Sequence, residues 1–135
     1  MTVTEGDDPE LRSILMQGLS PMLHPQHSSR PASWLCVALQ DEQKSSVGGM
    51  IGLMVGAWLS VDLLWLPTYL RKRGHGTALL REAERRALKE GCIDAYVGTS
   101  SSDACGFYEK NGYVARLLLY NPYAGLTQTT LQKHF

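Results

Sequence analysis

The segment Leu64-Trp65-Leu66 runs through Pro67-Thr68-Tyr69-Leu70 into the basic, glycine-containing stretch Arg71-Lys72-Arg73-Gly74-His75-Gly76, and then into Thr77-Ala78-Leu79-Leu80. An apolar strand that passes through such a loop straight into a helix calls for a sheet with a helical crossover. Glycines at 74 and 76 remove Cβ atoms where the backbone must approach an anion, and the amides there are the unpaired first N–H groups of the helix that follows. Those donors and the positive end of the helix dipole favour a diphosphate. A dinucleotide fingerprint needs G-x-G-x-x-G and a P-loop needs G-x-x-x-x-G-K-[ST]; Arg71-x-x-Gly74-x-Gly76 is neither.

The 135 residues are 44% apolar and 19% charged, which suits one globular core and is unlike a disordered chain. We expect a single domain over residues 1–135. Thirteen basic and thirteen acidic residues cancel, so no global field draws the chain to nucleic acid or an anionic membrane. Positive charge is concentrated at Arg71, Lys72 and Arg73, beside His75, which suits a polyphosphate tail. Cys36, Cys92 and Cys105 are odd in number and lack C-x-x-C spacing, arguing against a disulfide framework or zinc site and for a cytoplasmic setting. Neither a secretory leader nor a membrane span is expected.

Along the chain, Asp8-Pro9-Glu10 followed by Leu11, Ile14, Leu15 and Leu19 predicts a capped first helix, after a short strand at Thr2 to Thr4. Pro21 to Pro31 reads as a loop or broken helix, and His24-x-x-His27 within it lacks the companion ligands a metal would need. Trp34 to Gln40, Val47 to Val55 and Trp58 to Leu66 predict an antiparallel meander, the last strand buried on both faces near its end. Thr77 to Glu90 is the clearest helix, with Leu80, Ala83, Ala87 and Leu88 on its apolar face. Cys92 to Gly98 predicts a strand parallel to Trp58 to Leu66, since a helical crossover separates them. A short helix capped within Ser100 to Ser102 runs through Lys110, and strands at Tyr113 to Tyr120 and Leu126 to Lys133 complete the chain.

The pattern R-x-x-G-x-G between a strand and a helix resembles the acetyl-CoA-binding motif of the GCN5-related N-acetyltransferases (GNAT). Ser101-Ser102-Asp103-Ala104-Cys105-Gly106-Phe107-Tyr108-Glu109-Lys110-Asn111-Gly112-Tyr113 is similar to that family's later motif, N-x-x-A-x-x-x-Y-E-K-x-G-F/Y, with Ser101 where asparagine is usual. The resemblance covers roughly residues 33 to 120 and extends to small bacterial members. It implies a GNAT-like α+β fold: a central mixed, mostly antiparallel sheet of six or seven strands, helices on both faces, and acetyl-CoA (or CoA) between the fourth and fifth strands. It further implies transfer of an acetyl group to a primary amine, of a small molecule given the short chain. A protein or peptide acceptor and a non-catalytic acetyl-CoA-binding module of the same fold are the alternatives. Family members often dimerise, and the apolar Tyr113 to Tyr123 region offers an edge for a homodimer.

Such a transfer needs a gripped cosubstrate, a neutral nucleophile, stabilisation of the developing oxyanion and a proton for the departing thiolate. Gripping falls to the amides of Lys72, Arg73, Gly74, His75, Gly76 and Thr77, with Arg71 and Arg73 adding charge-assisted contacts. By resemblance, Leu64, Trp65 and Leu66 line the pantetheine arm, an N–H near Leu66 polarises the thioester carbonyl, and Ser101, Ala104 and Phe107 border the cofactor. Tyr108 stands where the motif has its general acid; a phenol of ordinary pKa about 10 is protonated at neutral pH and can serve a thiolate leaving group. From spacing alone the favoured reading is a buried aromatic on the helix face beside Phe107, and it is the motif in register that turns the reading to catalysis. Asp62, in the apolar run Val61-Asp62-Leu63-Leu64, is the carboxylate placed to take the amine's proton if the strand buries it; a structural carboxylate and a water relay remain open.

Overall fold

The computed structural model describes residues 1–23 and 32–135. The chain divides into two compact units, Met1–Arg30 and Pro31–Phe135. In the first, α1 spans Pro9–Leu23. Its start follows the sequence: the Leu11 amide donates to Asp8 Oδ1 at 2.9 Å and the Arg12 amide to the Asp8 carbonyl at 3.0 Å. The strand expected at Thr2 to Thr4 does not form, and among the described residues no strand pairs with that segment. The helix also outruns its expected end: Pro21 falls in its last turn, where a missing N–H removes one ladder bond without ending the helix. The rest of the Pro21 to Pro31 segment, with His24 and His27, lies outside the described residues.

The second unit is a six-stranded mixed sheet with two helices. In chain order it comprises β1 (Ser33–Gln40), β2 (Ser46–Val55), β3 (Trp58–Trp65), α2 (His75–Lys89), β4 (Asp94–Thr99), α3 (Ser102–Lys110), β5 (Val114–Asn121) and β6 (Leu126–His134). The sheet order is β1-β2-β3-β4-β6-β5. All neighbours are antiparallel except β3 and β4, which the α2 crossover makes parallel, as expected.

Two irregularities in β3 shape what lies at its end. The parallel ladder runs only from Trp58 opposite Asp94 to Val61 opposite Val97. Beyond that point β3 stays with β2, with Trp65 opposite Gly49, while β4 stays with β6, with Thr99 opposite Thr129. The two strands therefore part into a gap whose inner edges carry unpaired backbone groups. At the point of parting Ile51 pairs with Leu63 and Gly52 with Val61, so Asp62 is the extra residue of a β-bulge.

Leu59, Val61, Ala95, Val97 and Leu131 are buried and form one core cluster with Leu80, Ala83 and Ala87 of α2 and Tyr108 of α3. Two side chains depart from the expected pattern. Leu88 is exposed, and Glu84, one turn beyond Leu80, takes a place on the buried face. Likewise β3 is not buried on both faces near its end, for Leu63 and Trp65 are exposed. The bulge at Asp62 puts these two out of step with the buried Leu59 and Val61.

Candidate active site

The chain leaves β3 through a single 3₁₀ turn, Thr68–Leu70, and enters α2 through Arg71 to Gly74. Lys72 has φ +60° and Gly74, the N-cap of α2, has φ +85°. Left-handed backbone is natural for glycine and strained for lysine, and such strain clusters at ligand clamps. The first amide to enter the α2 ladder is that of Ala78, which donates to the Gly74 carbonyl at 3.0 Å. The N–H groups of His75, Gly76 and Thr77 are thus left at the positive end of a fifteen-residue helix. Arg71, Lys72, Arg73 and Gly74 are exposed around them; His75, Gly76 and Thr77 are half-buried.

Arg71 does a job the sequence reading did not assign. Its Nε donates to the Leu66 carbonyl at 2.8 Å, tying the loop to the end of β3. Leu66 is buried, Leu64 half-buried and Trp65 exposed, so the three line the gap edge unequally. The two motifs meet at Gly76: a Cβ there would lie 3.3 Å from the Phe107 ring and 3.8 Å from the Leu66 side chain. Ala104, one turn before Tyr108, is half-buried against the same core. Ser101 is the N-cap of α3, its Oγ accepting from the Ala104 amide at 3.2 Å.

Tyr108 is the only buried residue of α3, and its ring meets Phe107 at 5.1 Å and Tyr113 at 5.4 Å, both edge-on. Burial pushes its phenol up from the ordinary value, so it holds its proton throughout the neutral range. Among the described residues its hydroxyl has no hydrogen-bond partner. Asp62 differs from expectation. Its carboxylate is exposed and accepts from Ser60 Oγ at 2.6 Å, so the burial that would have strengthened it as a base is absent. The bulge is the cause, because it turns the residue out of the alternation that buries Val61. No contact among the described residues joins Asp62 to Tyr108.

Behind Tyr108 lies a polar cluster that the sequence reading missed. Tyr113 Oη donates to Glu84 Oε2 at 3.1 Å, and Lys133 Nζ donates to Glu84 Oε1 at 2.8 Å. Burial first, then the Glu84 charge, push the Tyr113 phenol far above its ordinary range. A signal did exist for Glu84, which sits between Leu80 and Ala87 on the helical stripe; none existed for Lys133. A cavity of about 260 Å³ lined by Trp58, Asp94, Tyr96, Arg116, Thr130 and Gln132 opens where β3 and β4 begin. It stands a full strand length from the α2 N-terminus.

The sequence matches the model of the acetyltransferase (GNAT) family over residues 4–113. The blasticidin-S acetyltransferase of Streptomyces morookaense is 34% identical over 135 residues, with 98% of this chain and 93% of that protein covered. An acetyltransferase from Bacillus cereus ATCC 14579 shares the fold with a TM-score of 0.87 at 24% identity, over 100% of this chain and 98% of that one. An aminoglycoside 6'-N-acetyltransferase, solved in complex with coenzyme A, gives a TM-score of 0.67 at 22% identity, over 99% and 97% of the two chains.

Proposed function

The chain belongs to the acetyltransferase (GNAT) family and is an N-acetyltransferase, and from that premise we propose that it uses acetyl-CoA to acetylate a primary amine of a small molecule, by direct attack in a ternary complex. One observation carries the reading: the gap where β3 and β4 part opens beside the free amides of the α2 N-terminus. The residues present fit the cosubstrate. Gly76 leaves room at the helix start, the amides of Lys72 to Thr77 suit a diphosphate, and Arg71, Lys72 and Arg73 supply positive charge. Bound there, acetyl-CoA supplies an acyl group activated as a thioester. The complex of the aminoglycoside enzyme with coenzyme A, in the same fold, supports this choice.

In this reading Leu64, Trp65 and Leu66 orient the arm that carries the acyl group, and the Leu66 N–H polarises the carbonyl. Arg71 keeps that strand end in place through the Leu66 carbonyl. Phe107 and Ala104 bound the pocket from α3, and Ser101 caps that helix in place of the amide contact made by the family's asparagine. Tyr108 Oη holds the proton for the departing sulfur. The exposed Asp62 carboxylate draws in the cationic amine and takes its proton, directly or through water.

The small-molecule acceptor rests on the blasticidin-S acetyltransferase, which aligns over nearly the whole chain. The cytoplasm is the setting that suits this cosubstrate. A homodimer has an edge available: β5 ends the sheet, and Leu117, Leu118, Leu119 and Tyr120 in it are exposed. The test of the function is release of coenzyme A from acetyl-CoA by the purified protein with blasticidin S, aminoglycosides, polyamines and basic peptides in turn. Release that requires one of the small amines supports the reading. Transfer confined to the peptides overturns the acceptor class, and binding without transfer to any amine leaves a binding module.

A further inference from the structure

We propose that Tyr113, anchored by Glu84 and Lys133, is a positioning residue that fixes the Tyr108 phenol in the orientation needed to deliver its proton. The proposal rests on the reading of Tyr108 as proton donor. Its starting point is that the Tyr108 hydroxyl has no hydrogen-bond partner among the described residues. Its direction is therefore set by the packing of its ring, which Phe107 meets on one side and Tyr113 on another, the latter at 5.4 Å and 65° between planes.

Tyr113 holds Tyr108 twice. After α3 the chain reverses at Gly112, with φ +92°; the Gly112 amide donates to the Glu109 carbonyl at 3.1 Å and the Tyr113 amide to the Tyr108 carbonyl at 3.0 Å. This is the Schellman ending, in which the second residue past the cap packs on the residue whose carbonyl it binds. Main chain and ring of Tyr113 thus fix main chain and ring of Tyr108. The far end of Tyr113 is fixed in turn. Its hydroxyl reaches Glu84 on α2, and Glu84 is held by Lys133 on β6, whose ammonium lies 5.8 Å from the Tyr113 ring centre. Glu84 and Lys133 are the charged groups facing Tyr113, and with the carboxylate beside it Tyr113 keeps its own proton. It orients a donor and does not act as one.

The test combines kinetics with a spectroscopic readout. Acetyl transfer from acetyl-CoA to hydroxylamine, a nucleophile small enough to need no shaped acceptor pocket, is measured for Tyr113→Leu, Tyr113→Phe, Tyr108→Phe and each double variant. In parallel, the ring signals of isotopically labelled Tyr108 are followed by NMR in each protein that retains Tyr108. Tyr113→Leu is expected to lower kcat about 10-fold with acetyl-CoA affinity unchanged, and Tyr113→Phe, which keeps the ring, to restore most of that loss. In the Tyr108→Phe background both changes at 113 should have no further effect on kcat, since there is no proton left to aim. The Tyr108 ring should flip faster in Tyr113→Leu. Equal losses in both backgrounds, or an unchanged ring in Tyr113→Leu, overturn the proposal. Should Tyr113→Leu not fold, Tyr113→Met, which also removes the ring, carries the same comparison. Wild-type turnover by Tyr108→Phe sinks the donor reading and this proposal with it, whereas a slowed Tyr108→Phe on which the changes at 113 still act in full sinks the proposal alone.

Discussion

Tyr108 joins a buried ring to a hydroxyl that no described residue engages, and burial keeps that hydroxyl protonated well past neutral pH. Tyr108→Phe removes one oxygen and leaves the packing with Phe107 and Tyr113, so kcat should fall by about 10²-fold while acetyl-CoA affinity stays put. Initial rates against acetyl-CoA and a working acceptor check this, and an undiminished kcat would remove Tyr108 from the chemistry. Ser101 makes a different demand. As the cap of α3 it contributes to stability, and Ser101→Ala should cost about 1 kcal/mol in denaturant unfolding. Among single residues, those set by local chain chemistry are the legible ones: the Asp8 cap and a cap for α3 within Ser100 to Ser102, whereas α2 begins at His75, two residues before the Thr77 expected from its apolar spacing. The exposure of Asp62 is not legible, because whether a strand residue is buried depends on ladder register, and a bulge leaves no mark in composition.

At the scale of elements, the passage from β3 to α2 does most of the work. Arg71 links the two through the Leu66 carbonyl, so Arg71→Met should loosen the strand end as well as remove a charge from the loop. We expect a rise of about 10-fold in the acetyl-CoA dissociation constant, the size of one hydrogen bond to a charged group, read by titration calorimetry. A Kd within twofold of wild type would confine Arg71 to the surface. The strand, loop and helix were readable because apolar run, glycine and helical spacing follow one another without a break. The meander before them was equally plain from its turns. The divergence of β3 from β4 is implied only by the family resemblance and not by the residues themselves, since the partners of each strand lie far off in sequence and only the assembled sheet shows where a ladder stops.

Across the second unit, Glu84 joins α2 to β6 and to the chain entering β5, through Lys133 and Tyr113. Glu84→Ala leaves Lys133 and the Tyr113 hydroxyl unpaired in a largely buried place, and should cost about 3 kcal/mol of stability. Two raised phenol pKa values also give the fold an alkaline limit. Folded Tyr113 and Tyr108 keep protons that the unfolded chain releases near pH 10, so their contribution is fully present below about pH 10 and is lost as pH climbs through that value toward the folded ones. Unfolding followed between pH 8 and 11, on the order of those values, should therefore steepen at the alkaline end, and less so in Tyr113→Phe. A stability independent of pH there would contradict the burial of both hydroxyls. The central claim is that acetyl-CoA is held at the α2 N-terminus beside the β3–β4 gap, and calorimetric titration of acetyl-CoA into the wild-type protein and into Gly76→Val tests it most directly. Micromolar binding by the wild type, lost in a folded Gly76→Val whose side chain meets Phe107, is the predicted result; equal binding by both, or none by the wild type, would contradict it.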